Sequence, residues 1–140
     1  AVQLLTLSDR VQHNHEVIVP ALKEGKIILC DRYLYTSIAN MLARGYRNET
    51  WFFDACKEII KPHIAFLAYA EPELAIRRIR SRPEECNRHL NEELLHNVAK
   101  EFLAMQKQAD FHVLDTSQSA DAAFLQVKNE LDTYFEGKNE

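Results

Sequence analysis

Residues 26–40 read KIILCDRYLYTSIAN, and the fold turns on this stretch. Ile27, Ile28, Leu29 and Cys30 form an apolar run without polar alternation, the pattern of a strand buried on both faces in a parallel sheet. The run ends abruptly in Asp31 and Arg32. Ligands of open α/β sheets bind beyond the carboxyl ends of the strands, so an acid and a guanidinium there would face the expected site. A carboxylate can hold a hydrated Mg²⁺, a guanidinium fork can clamp phosphate oxygens, and phosphoryl transfer depends on such charge compensation. The structural alternative is a plain ion pair at a strand end.

Upstream, Leu4, Leu5, Leu7, Val11, Val17, Ile18 and Leu22 recur at mostly helical spacing, and Gly25 is a stop signal. One long helix is expected, kinked or broken at Pro20, which lacks a backbone donor. The chain opens within the periodic pattern with no capping residue ahead of Val2, so sequence preceding it is expected. Downstream, Thr36 or Ser37 can cap a short helix through Ile38, Ala39, Met41 and Leu42 that Gly45 ends. Residues 51–60 form a further helical pattern, with Trp51, Phe52, Ala55, Ile59 and Ile60 toward the core and Pro62 as its stop.

A second apolar run, residues 64–70, predicts another strand, and Glu71, Pro72 and Glu73 open a helix with early proline and early negative charge. That helix carries IRRIRSR, with Arg77, Arg78, Arg80 and Arg82, and the polar stretch after it holds Arg88. A run of arginines is often a solvated helix face. As a group on a helix end and an adjoining loop, they could instead close over triphosphate oxygens. Asn91 caps a helix through Leu94, Val98, Phe102 and Met105, and a third strand at 111–114 ends in Asp115, Thr116 and Ser117. Ser119 caps a last helix with Ala123, Phe124, Val127, Leu131 and Phe135 on one side, and the tail EGKNE is expected to fray. Strands separated by helices predict an α/β domain with a parallel sheet, and no repeat or linker divides the chain.

With 140 residues and 46% hydrophobic content, a single domain with a real core is expected. A net charge of −4 and a pI near 5.9 give no domain-wide basic footprint for a nucleic acid polymer or an anionic membrane. No apolar run approaches the ~20 residues of a membrane span, and the first residues lack a signal-peptide pattern, so a cytoplasmic location is expected. Cys30, Cys56 and Cys86 are odd in number and widely spaced, which suits reduced thiols rather than disulfides or a zinc ribbon. His13 and His15 lie two apart on a predicted helix and so do not face each other as metal ligands would.

SDRVQHNHEVIVPALKEGKIILCDRY, TSIAN, KPHIAFLAYAEPELAIRRIRSR, NRH and VLDTSQSADA occur in this order over essentially the whole chain. Together they resemble the thymidylate kinases, a family of P-loop nucleoside monophosphate kinases; the deoxynucleoside kinases are the nearest rival. The resemblance implies a P-loop NTPase-like three-layer α/β/α fold with a parallel sheet, in a single domain spanning 1–140 and incomplete at its N-terminus. It implies transfer of phosphate from ATP to dTMP or a related monophosphate, giving ADP and dTDP, with small-molecule nucleotides as partners and Mg²⁺ as cofactor. Asp31 would sit near Mg²⁺, bound through water, and Arg32 on the acceptor phosphate. Arg10 matches the arginine that contacts the acceptor base, and Thr36, Ser37 and Asn40 fall on the substrate side. Arg78, Thr116 and Ser117 fall on the ATP side, while Arg80, Arg82 and Arg88 belong to what resembles the lid over the transferring group. The leucine-rich first helix resembles the one through which the family's subunits pair, implying a homodimer; burial within one domain is the alternative.

The chain departs from the family at Thr6, where a ring usually stacks on thymine, a contact worth about 1 kcal/mol beyond area burial. Asn40 and Met41 stand where an aromatic that crowds the sugar, often followed by glutamine, is usual, His63 replaces a common aspartate, and Leu90 a lid glutamate. With glycine only at 25, 45 and 137, no G-x-x-x-x-G-K-[ST] can be assembled, so these residues alone lack a cradle for the β- and γ-phosphates. The family fold sets its first strand between those matching 27–30 and 64–70, so either upstream residues supply it or these two strands pair directly. A catalytically degenerate module that binds nucleotide or a partner is a second expectation.

Overall fold

The computed structural model describes residues 2–87, 89–109 and 111–137. They fall into two compact units, Ala1–Pro62 and His63–Glu140.

In the first unit the expected long helix is interrupted: α1 (Val2–His13) passes through a π-helical turn (Asn14–Ile18) into α2 (Val19–Lys23). Pro20 offers no N–H to the carbonyl of residue 16, and the wider turn immediately upstream is where the helical ladder yields. Gly25, at φ +76°, closes α2, with the Lys26 N–H bonded back to the Ala21 carbonyl.

Residues 27–30 do not form the expected strand. Ile27 is 85% and Leu29 96% exposed, the opposite of a doubly buried run. Apolar composition cannot make a strand without a neighbour to complete its ladder, and the sheet among the described residues consists of two other segments.

Helix α3 (Leu34–Ala43) starts before the expected Thr36 or Ser37 cap; Tyr33 is its extended N-cap and makes no side-chain cap bond. Gly45, at φ +85°, follows its end. In α4 (Thr50–Lys57), Phe52 and Cys56 are buried, as is Ile59 just after it. Trp51 and Ile60, expected in the core, are exposed, and the Trp51 indole N–H instead donates to Glu49 at 2.7 Å. The core of this unit joins Leu7, Leu34, Met41, Phe52, Cys56 and Ile59.

The second unit alternates strands and helices as expected: β1 (Ala65–Tyr69), α5 (Pro72–Arg80), α6 (Glu92–Ala109), β2 (Phe111–Asp115) and α7 (Ala120–Glu136). β1 and β2 pair in parallel, from Ala65 opposite Phe111 to Tyr69 opposite Asp115, so the chain has an α/β fold with a parallel sheet. Pro72 enters α5 at its first turn. Asn91 Oδ1 accepts from the Leu94 N–H at 2.9 Å and Ser119 Oγ from the Ala122 N–H at 3.2 Å, the two caps legible in the sequence. On α7, Ala123, Val127 and Leu131 are half-buried, while Phe124 and Phe135 are exposed rather than packed with them. Of the expected frayed tail, residues 138–140 lie outside the described residues.

None of the described helices is long and apolar enough to cross a membrane. All three cysteines are free, with Cys30 and Cys86 exposed and Cys56 buried. Burial pushes the Cys56 thiol up to about 11. At about pH 8 roughly one Cys56 in a thousand is then the reactive thiolate. Iodoacetamide should label Cys30 and Cys86 and spare Cys56 until denaturant is added, as read by peptide mass spectrometry; equal labelling of all three would contradict this burial.

Candidate active site

Each unit presents its own cluster of the expected residues. In the first, Asp31 and Arg32 lie in a bend ahead of α3 rather than at a strand end, and both are exposed. They form no ion pair with each other, so the structural alternative is not what the molecule adopts. Among the described residues Arg32 is the non-glycine position with positive φ, +62°. For an L-residue that conformation costs roughly 1–2 kcal/mol, and strain of this kind concentrates where function requires it. An exposed carboxylate free of the neighbouring guanidinium fits a hard cation held through water, so Asp31 suits Mg²⁺. Among the described residues no group of three or more His, Cys, Asp or Glu could hold a metal.

Arg10, half-buried on α1, carries its guanidinium 5.9 Å from the centre of the Tyr33 ring. Its Nε is buried without a hydrogen-bond partner among the described residues. Tyr33 is anchored at its other end, where its hydroxyl accepts from Asn14 Nδ2 at 2.8 Å and donates to the Ile60 carbonyl at 3.0 Å. Burial, and next the charge of Cys30, raise the Tyr33 phenol above its usual range, against the lowering effect of the Asn14 hydrogen bond. Sequence reasoning missed Asn14. The signal was present, since Leu7, Val11, Asn14 and Ile18 share one helix face and Asn14 is the polar member of an apolar stripe.

On α3, Ser37 is buried, Thr36 and Asn40 are half-buried, and Asn40 Nδ2 donates to the Thr36 carbonyl at 2.9 Å. Asn40 is thus tied to its own helix. Thr6, in place of a stacking ring, likewise bonds back to the Val2 carbonyl at 3.0 Å.

In the second unit, Arg78 Nη2 donates to the Thr116 carbonyl at 2.7 Å, joining α5 to the loop after β2. Thr116 holds the Tyr69 carbonyl through both its hydroxyl, at 2.8 Å, and its N–H, at 2.9 Å. The Ser117 N–H donates to Asp115 Oδ1 at 2.8 Å, and bonds from the Ser117 side chain and backbone hold the Asp115 carboxyl below its usual range. The Gln126 carboxamide from α7 grips the Asp115 peptide, accepting from its N–H at 3.2 Å and donating to its carbonyl at 3.3 Å. Arg78, Thr116 and Ser117 are therefore brought together at one strand end. Arg80 reaches Glu92 at 3.3 Å, Arg82 is exposed, and Arg88 lies outside the described residues. A groove of about 280 Å³ that no sequence signal indicated opens between Tyr69, Glu73, His96, Lys100 and Leu103, with His96 Nε2 3.6 Å from Glu73.

A family model described as "Thymidylate kinase" matches residues 1–127. A "Probable thymidylate kinase" of Thermococcus kodakarensis is 35% identical over 75% of this chain and 51% of its own length. A "Probable thymidylate kinase" of Pyrobaculum calidifontis is 31% identical over 84% of this chain and 60% of its own. A "Thymidylate kinase" of Aster yellows witches'-broom phytoplasma is 29% identical over 95% of this chain and 68% of its own. The chain spans about half to two thirds of the length of these relatives.

Proposed function

We propose, because this chain belongs to the thymidylate kinase family, that its residues serve an enzyme transferring the γ-phosphoryl group of ATP to dTMP or a related nucleoside monophosphate. The observation that carries the reading is Arg32, held in a left-handed bend with its guanidinium exposed and unpaired with Asp31. Arg32 takes the acceptor phosphate and Arg10 the acceptor base, with Thr36, Ser37 and Asn40 on the acceptor side. Asp31 holds Mg²⁺ through water; the ion, when bound, supplies charge neutralisation for the phosphates. Arg78, Thr116 and Ser117 form the donor side, and Arg80, Arg82 and Arg88 compensate charge on the transferring group. The 140 residues contain no glycine-rich phosphate loop, so the donor's β- and γ-phosphates are held by residues outside them. A cytoplasmic location accords with this reading.

The test is phosphoryl transfer by the natural protein, with whatever residues flank this stretch, using dTMP, ATP and Mg²⁺ and detecting dTDP. A second reading, a module that binds nucleotide without turnover, is favoured by Thr6 in place of a stacking ring. Saturable dTMP binding without dTDP would select it over the kinase.

The same reading extends to a homodimer through α1, which presents Val2, Leu4 and Leu5 at 72%, 54% and 73% exposure. Sedimentation should give twice the chain mass, and Leu5→Glu, which would place a charge in that contact, should give the monomer. A monomeric wild type at micromolar concentration would end this part of the proposal.

A further inference from the structure

Asn14 is 2% exposed and sits at the first residue of the π-helical turn. Its side chain is used at both ends: Nδ2 donates to the Tyr33 hydroxyl at 2.8 Å, and Oδ1 accepts from the Ile60 N–H at 3.4 Å. The Tyr33 hydroxyl completes the ring by donating to the Ile60 carbonyl at 3.0 Å. Three segments distant in sequence are thereby pinned at one point, with Asn14 as its buried member. Both arginines of this unit's cluster depend on that point. Arg10 lies one helical turn before Asn14 and rests on the Tyr33 ring, and Arg32 is joined to Tyr33 by a peptide bond. A left-handed residue is not held by its own conformational preference, so its neighbours must hold it. On the C-terminal side of Arg32 the restraint comes from the Tyr33 side chain and from the start of α3, where the Thr36 N–H donates to the Tyr33 carbonyl at 3.2 Å.

We propose that Asn14 is a positioning residue for the acceptor: through Tyr33 it fixes the backbone that carries Arg32 and the ring that seats Arg10. The inference rests on the reading of Arg32 as the phosphate-binding arginine. A purely structural Asn14 would matter for folding alone. A positioning Asn14 matters selectively for the monophosphate, because small displacements of a clamp cost far more binding than stability.

Calorimetry on the natural protein separates these, with dTMP and ATP titrated in turn. Asn14→Leu and Tyr33→Phe should each weaken dTMP about tenfold or more and leave ATP within about twofold. Adding Asn14→Leu to Arg32→Ala should weaken dTMP by clearly less than Asn14→Leu does in the wild type, since the tether then aims Arg10 alone. If Arg32→Ala leaves dTMP affinity unchanged, the reading of Arg32 falls and this inference with it. If Arg32→Ala weakens dTMP while Asn14→Leu and Tyr33→Phe do not, or weaken ATP equally, the inference alone is overturned. Should Asn14→Leu not fold, Tyr33→Phe decides, because it keeps the ring, and with it Arg10's seat, while deleting the hydroxyl.

Discussion

Arg32→Ala should lower kcat/KM for the monophosphate by about 10²- to 10³-fold, roughly 3–4 kcal/mol of transition-state stabilisation. The loss is large because a guanidinium clamps phosphate oxygens by paired, charge-assisted bonds that a methyl group cannot replace. The backbone supplies an internal control. Alanine at φ +62° is as strained as arginine, whereas Arg32→Gly removes the strain and adds disorder to the unfolded chain, opposing terms of about 1 kcal/mol each. Stability in Arg32→Gly should therefore be unchanged or raised while turnover collapses as in the alanine variant. Turnover within threefold of wild type in either variant would remove Arg32 from the reaction.

Phe52→Ala should destabilise the first unit by about 3–5 kcal/mol, the usual effect of deleting a buried ring. Phe52 is 0% exposed and packs in the cluster with Leu7, Leu34, Met41, Cys56 and Ile59, drawn from three helices and the turn after the last. Such a loss is a large share of a small unit's total stability. Trp51, the single tryptophan, adjoins Phe52 and reports the transition by fluorescence in urea. A midpoint unchanged from wild type would show that the ring is not where the core sits.

Local signals were legible where the physics is local. Asn91 and Ser119 cap the helices they precede, Pro72 enters α5, and Gly25 and Gly45 stand in left-handed turns, each set within one helical turn of chain. The second and third strands were legible because each finds the other as its partner. Residues 27–30 carry an equally apolar pattern and form no strand, since a ladder depends on a neighbour that composition cannot report. Helical spacing sets Trp51 and Ile60 toward the core and Phe124 and Phe135 on the apolar side of α7, yet all four are exposed. Large apolar residues are commonly part of a surface, and helical spacing does not say which stripe wins. For the candidate site, the residue types at 31 and 32 were legible but their bend was not, because positive φ at arginine has no sequence signature. The Asn14–Tyr33–Ile60 ring was invisible for another reason: its members meet across intervals of 19 and 27 residues.

The grip of Gln126 on Asp115 bears on how far the sheet can grow. In a parallel pair, alternate residues of a strand turn their peptide groups to opposite sides. The Thr116 N–H faces the Tyr69 carbonyl, so the Asp115 peptide faces outward, and there the carboxamide takes both its N–H and its carbonyl. One side chain thus stands in for an adjoining strand, occupying the pair of groups an incoming chain would need. At its carboxyl end β2 is sealed against addition of foreign backbone, by a counterfeit peptide carried on its own following helix.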